Sequence, residues 1–213
     1  MLPLPPEAVD CEIDAFSHEH NGSIYILNGW DLQPGDVILF RGDSAFGTAI
    51  QLVQAAAGFE REAALWSHVA IYRSHGVLYD CTIDRGAEGR LFNVATKRRE
   101  IAVRRIPGMA AAFAAHLSGS LARSTGTQYA NLREARIIQG LLIRRIRKGT
   151  APQLQNPFNA FREDAITPAV CSQYVDRLYR HVTGQHIHEF MPVPADFAAS
   201  EAFEDVPLTW HLL

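Results

Sequence analysis

Six residues recur on one face of a helix-like segment near the end of the chain: Cys171, Tyr174, Val175, Leu178, Tyr179 and Val182. They fall at i, i+3, i+4, i+7, i+8 and i+11, so one stripe of this helix must be covered by another layer. Thr167 reads as its N-cap and Pro168 as its first helical residue. Gly184 supplies the stop. Cys171 therefore lies in the first turn and points into the core. The positive end of the helix dipole favours a thiolate there. The same position also suits an inert cysteine packed as a small hydrophobe, and helix position alone does not choose between the two.

The partner layer reads as a mostly antiparallel sheet. Val37 to Phe40 is a short apolar run after the turn Pro34-Gly35-Asp36, as expected of a buried strand. Leu65 to Arg73 and Val77 to Ile83, joined through Ser74-His75-Gly76, form a β-hairpin pattern. Ile24–Leu27 is expected as a short edge strand, Leu91–Val94 and Glu100–Arg105 as further strands, and Asp84 to Gly89 as a loop. Ser44 is placed to cap a helix over about 45–57, with Phe46, Ile50 and Val53 at helical spacing. Gly108–Leu121 and Asn131–Arg147 read as two more helices, and a final helical turn follows Met191 to Phe197. The expected class is α+β, a single domain over 1–213 with a helical insertion at about 108–165.

Bulk properties exclude some functions. The 213 residues are 47% hydrophobic with a net charge of −3, so no general attraction to nucleic acid is expected. Cys11, Cys81 and Cys171 are too few and too scattered for a disulfide framework, which suits a reducing compartment. The opening MLPLPPEAVDCEIDAF lacks the basic and apolar regions of a signal peptide, and no apolar run is long enough to span a membrane. The expectation is a chain soluble and cytoplasmic when made; signal-independent export would leave no trace in these residues.

The hairpin supplies the chemistry to go with the thiol. On a strand, His68, Ala70 and Tyr72 project together. A turn centred on Ser74 sets His68 opposite Asp80, with Cβ atoms roughly 5 Å apart. A carboxylate would then orient one imidazole nitrogen while the other faces a thiol. A slip by one residue would put Cys81 in that place instead. A lone strand histidine is otherwise a satisfied structural residue.

The motifs LQPGDVILFRG, WSHVAIY, VLYDCT, AVCSQYV and VPADFAAS resemble, in this order, the circularly permuted NlpC/P60 group of papain-like proteins, with its YiiX-like and lecithin–retinol acyltransferase-like branches. The resemblance covers about 32–106 and 166–203. It implies a permuted papain-like fold in which the histidine precedes the cysteine. It further implies Cys171 as nucleophile, His68 as general base and Asp80, twelve residues after His68, as the third polar residue. The group often has His or Glu at that third position, so Asp is a departure in type. Gly35-Asp36 matches as a fold signature. The implied activity is a cysteine hydrolase or acyltransferase on an amide or ester, working through a thioester acyl-enzyme without cofactor or metal. Cell-wall peptides and acyl lipids are the substrate classes it implies. The missing signal peptide argues against a resident wall enzyme.

Three rival readings compete. A catalytically inactive binding module of the same fold would carry an unreactive thiol. His181, His186 and His188, with Glu189, form the densest imidazole cluster, and His186-x-His188 on a strand would share a face and could bind zinc. Three ligands bunched after a helix end without cysteine favour instead a solvated loop with His181 at the helix C-terminus. His18-Glu19-His20 is weaker still. The basic helix 131–148, with Arg144, Arg145, Arg147 and Lys148, could lie on an anionic membrane; its own apolar face favours a core contact.

Overall fold

A computed structural model describes residues 17–20, 23–42, 44–82, 85–97, 99–124, 170–184 and 192–212. The chain is α+β, an antiparallel sheet packed against helices. Strands β1 (Ser17–His20), β2 (Ser23–Leu27) and β9 (Trp210–Leu212) form a small sheet in the order β1-β2-β9. Ile24–Leu27 thus belongs to the middle strand of its sheet rather than to an edge, because the chain's last described strand returns to cover it.

The main sheet has six strands in the order β6-β5-β4-β3-β7-β8, every pairing antiparallel. These are β3 (Val37–Arg41), β4 (His68–Ser74), β5 (Val77–Thr82), β6 (Gly86–Leu91), β7 (Glu100–Arg105) and β8 (Glu204–Asp205). Alternation sorts their side chains onto two faces. Val37, Leu39, Val69, Ile71 and Cys81 join the larger core, while Ile38, Phe40, Ala70, Tyr72 and Leu78 join a second.

Two sequence expectations fail between Asp84 and Val94. Residues 86–89, expected as loop, pair with β5 within strand β6, whose last residue is Leu91. Their glycines carry little strand preference, so pairing with a neighbour, not local propensity, makes the strand. Gly89 also leaves room for Tyr79, whose ring lies within 2.9 Å of where a Cβ would stand. Phe92, Asn93 and Val94, expected as strand, lie instead in a short helix, Phe92–Thr96, that buries Phe92, Ala95 and Thr96.

Helix α1 (Ala45–Ala56) starts where Ser44 accepts a hydrogen bond from the Gly47 N–H at 3.0 Å. Its buried residues are Gly47 and Gln54, whereas Phe46 is exposed. Gln54 donates to the carbonyls of Ala64 and Trp66 and accepts from the Ala195 N–H, which binds α1 to α2 (Arg61–Ala64) and α6 (Pro194–Ala199). The short helix at Phe92–Thr96 is α3, and α4 spans Ala110–Ser124.

Helix α5 (Cys171–Thr183) lays the anticipated stripe on the sheet. Cys171, Tyr174, Val175, Leu178 and Tyr179 are buried in the larger core, and Val182 packs at its margin. Each fully buried side chain of this size contributes about 1.5–3 kcal/mol. Gly184 ends the helix in the left-handed region at φ 75°, its N–H bonded to the Arg180 carbonyl at 2.8 Å. At this end the Tyr179 hydroxyl donates to the Gly35 carbonyl. Gly35 has φ +93°, and a Cβ there would lie 2.4 Å from the Phe113 ring, so glycine is required twice over. The basic segment 131–148, Thr167, Pro168, and His186, His188 and Glu189 lie outside the described residues. So do Cys11 and the side chains of His18 and His20.

Candidate active site

The β4–β5 connection decides where the imidazole sits. His75 and Gly76 both have positive φ, 50° and 68°, giving a two-residue turn of the kind that matches strand twist. The expected turn centred on Ser74 is therefore displaced. Ser74 pairs with Val77, a bulge follows, and Tyr72 then faces Leu78 and Ile71 faces Tyr79. Carried on, this register sets Asp80 opposite Ala70, not opposite His68. The difference from the expected alignment is two residues, so the face is unchanged and Asp80 becomes the diagonal neighbour of His68. Diagonal reach suffices: the imidazole Nε2 lies 3.1 Å from Asp80 Oδ2.

Cys171 is the first residue of α5, preceded by Val170 as N-cap. Among the described residues no side chain caps this end, and the first turn holds no acidic residue. The opening N–H groups are those a helix leaves without an internal partner. Cys171 belongs to the larger core, whereas the His68 ring lies 5.5 Å from Phe40, which belongs to the second. The two side chains meet at the N-terminal end of β4, where the charge of the Cys171 sulfur acts on the imidazole. With Nε2 committed to Asp80, Nδ1 is the nitrogen left for the thiol.

Burial and charge oppose one another at this ring. Burial favours neutral imidazole. The negative charge of Cys171 and the hydrogen bonds to Asp80 and Cys171 outweigh it and bring His68 up to about 9 from its usual 6.5. The imidazolium is thus the prevailing form at neutral pH. The His68 side chain is 18% exposed, Asp80 only 1%. Cys171 is 5% exposed.

Two more residues complete the surroundings. Cys81 follows Asp80 on β5 but faces the larger core, fully buried. Burial, then the charges of Cys171 and Asp80, push its thiol up to about 12, so it stays protonated and inert. Arg90 on β6 places Nη1 3.4 Å from Asp80 Oδ2, the oxygen that also takes His68. Arg90 was not among the residues singled out by sequence, because its strand was read as loop and its cross-strand neighbour was hidden. A Gly-flanked arginine ten residues after Asp80 is the only signal the sequence offers for it.

The structure thus brings together Cys171, His68 and Asp80, and adds Arg90. It places Asp36 elsewhere, in a structural clamp. Both Asp36 oxygens lie 2.7 Å from the Arg105 guanidinium, and Oδ2 accepts the Gln33 N–H at 2.8 Å. Among the described residues, no group of three or more His, Cys, Asp or Glu is arranged to hold a metal ion. His181 is exposed in the last turn of α5. No helix among the described residues is long and apolar enough to cross a membrane.

No protein-family model matches this chain, and no curated protein matches its sequence.

Proposed function

We propose that this chain is a cysteine hydrolase or acyltransferase of permuted papain-like architecture, with Cys171 as nucleophile, His68 as its proton partner and Asp80 as the group that orients the ring. The observation that carries this reading is the His68 imidazole held between a helix-N-terminal thiol and a buried carboxylate. That is the constellation a thiolate nucleophile needs: a base within reach, itself aimed by a third group. The order of histidine before cysteine, and the strand-hairpin-helix arrangement, suit the resemblance noted above.

In the resting pair the proton sits on His68, which leaves Cys171 as the thiolate. The thiolate attacks the carbonyl carbon of an amide or ester, and the carbonyl π electrons move to oxygen. The backbone N–H of Cys171 at the helix start donates to that oxyanion. As the intermediate collapses, His68 passes its proton to the departing amine or alkoxide, leaving a thioester on Cys171. Water, or another acceptor, then attacks the thioester while His68 takes its proton, and the thiolate leaves. The substrate is a peptide amide or an acyl-lipid ester or amide, with no cofactor required.

The test is iodoacetamide labelling followed by mass spectrometry as a function of pH, in wild type and His68→Ala, with Cys81 as the inert control. The expected result is rapid labelling of Cys171 already below about pH 7, against about 8.5 for an ordinary thiol, and loss of that reactivity in His68→Ala. Slow labelling indifferent to His68, with Cys171 shown to be reachable by a small neutral thiol reagent, would overturn the pair and leave a binding module of the same fold.

A further inference from the structure

Strand β6 sets two carboxylates face to face, for Asp80 pairs with Glu88 in the β5–β6 ladder. Like charges directly opposite one another repel. Each acid has its own arginine. Arg85 Nη1 takes Glu88 Oε1 at 3.2 Å, while Arg90, opposite Leu78 and so diagonal to Asp80, takes Asp80 Oδ2 at 3.4 Å. That single oxygen therefore receives two cations, since the His68 Nε2–H donates to it at 3.1 Å. The Arg90 side chain is only 14% exposed and Asp80 1%, so water screens this contact little.

We propose that Arg90 is a positioning residue of the Cys171–His68 pair: it holds the Asp80 carboxylate beside the ring and, by sharing the same oxygen, tempers the grip of Asp80 on the imidazolium. Its catalytic meaning rests on the function proposed above; its existence does not. Arg90 touches neither thiol nor reacting carbonyl and acts through Asp80 alone. Besides Asp80, the charged group acting on the ring is the Cys171 sulfur from α5; the Phe40 ring packed against His68 carries the Arg99 guanidinium 5.8 Å from the Phe40 centroid. From β3 only the uncharged Phe40 meets His68.

The experiment is an NMR titration of the full chain carrying histidine labelled with carbon-13 at Cε1. It is done in the Cys171→Ala background, so that thiol and imidazole do not titrate as one coupled pair. The His68→Gln spectrum identifies the signal. Arg90→Met is expected to raise the His68 midpoint by roughly half to one pH unit, because a competing cation is removed from Asp80 Oδ2. Arg90→Lys, which keeps the charge, is expected to return the midpoint most of the way. An unchanged or lowered midpoint in folded Arg90→Met overturns the proposal. Should Arg90→Met not fold, Arg90→Gln is read by the same criteria; failure of both neutral variants to fold makes Arg90 a structural residue and overturns it equally. Because this readout needs no activity, slow Cys171 labelling with the Arg90 shift present would sink the proposed function alone.

Discussion

Asp36 and Asp80 are both buried in the main sheet's surroundings and both meet an arginine, yet they are built to opposite ends. Asp36 has each carboxylate oxygen matched to one arm of the Arg105 fork at 2.7 Å, with the Gln33 N–H added on Oδ2. Burial pushes its carboxyl above the usual range, and the Arg105 and Gln33 bonds limit the rise. Arg105 also donates to the Asp31 carbonyl at 2.7 Å, so the cluster closes on itself. Asp80 instead carries two longer contacts on Oδ2, and its buried Oδ1 has no hydrogen-bond partner among the described residues. A satisfied carboxylate fixes structure; a half-satisfied one keeps strong local fields for chemistry. The two aspartates also mark the two ends of α5. Its C-terminal part is tied to the clamp by Tyr179 on Gly35, and its N-terminus carries Cys171.

The contrast can be broken most directly at Cys171. Cys171→Ala is expected to abolish the covalent acyl adduct with an activated thioester probe and to cut its turnover by about 10³-fold or more, with the fold retained. Mass spectrometry and thermal unfolding read the two effects, and an adduct that persists would remove Cys171 from the chemistry. Asp80→Asn is expected to reduce labelling of Cys171 at neutral pH by roughly 10²-fold, since an amide cannot hold the imidazolium. Stopped labelling at fixed pH measures it, and an unchanged rate would make Asp80 merely structural.

At the other end the effect should appear in stability. Arg105→Met leaves a buried carboxylate without its fork, at a cost of about 3–5 kcal/mol in urea unfolding. The Cys171 labelling rate of the folded protein should be unaltered, and a parallel loss of reactivity would show that the two clusters are not independent. The pH response separates them further. With His68 near 9, the imidazolium, the leaving-group acid of the proposed chemistry, is retained through neutral pH and lost as pH rises through about 9. Turnover should therefore fall above that pH. Removing the neighbouring negative charge in Cys171→Ala should lower the His68 midpoint, read by NMR. The smallest effect is expected from Tyr179→Phe, which loses one hydrogen bond to Gly35, about 0.5–1.5 kcal/mol by urea unfolding.

Much of the site was legible because its parts are local signals. A thiol heading an apolar stripe, and an imidazole on an alternating strand, are read directly from spacing. Asp80 was found on the correct face although at the wrong step, because a two-residue register error preserves strand parity. Arg90 was missed for the opposite reason: Gly86 to Leu91 has no pattern of its own and becomes a strand only through β5.

The sequence by itself determined the α5 stripe, its glycine stop, the hairpin and the residue types at Cys171, His68 and Asp80, since periodicity and turn chemistry act over a few neighbouring residues. Only the tertiary structure decided which carboxylate meets which cation. The bulge between Tyr72 and Ser74 sets the diagonal between His68 and Asp80, and the β5–β6 ladder delivers Arg90 to the same oxygen. Such pairings depend on register summed over several strands, and on burial that turns a contact of 3–4 Å into a strong interaction, neither of which a local pattern encodes.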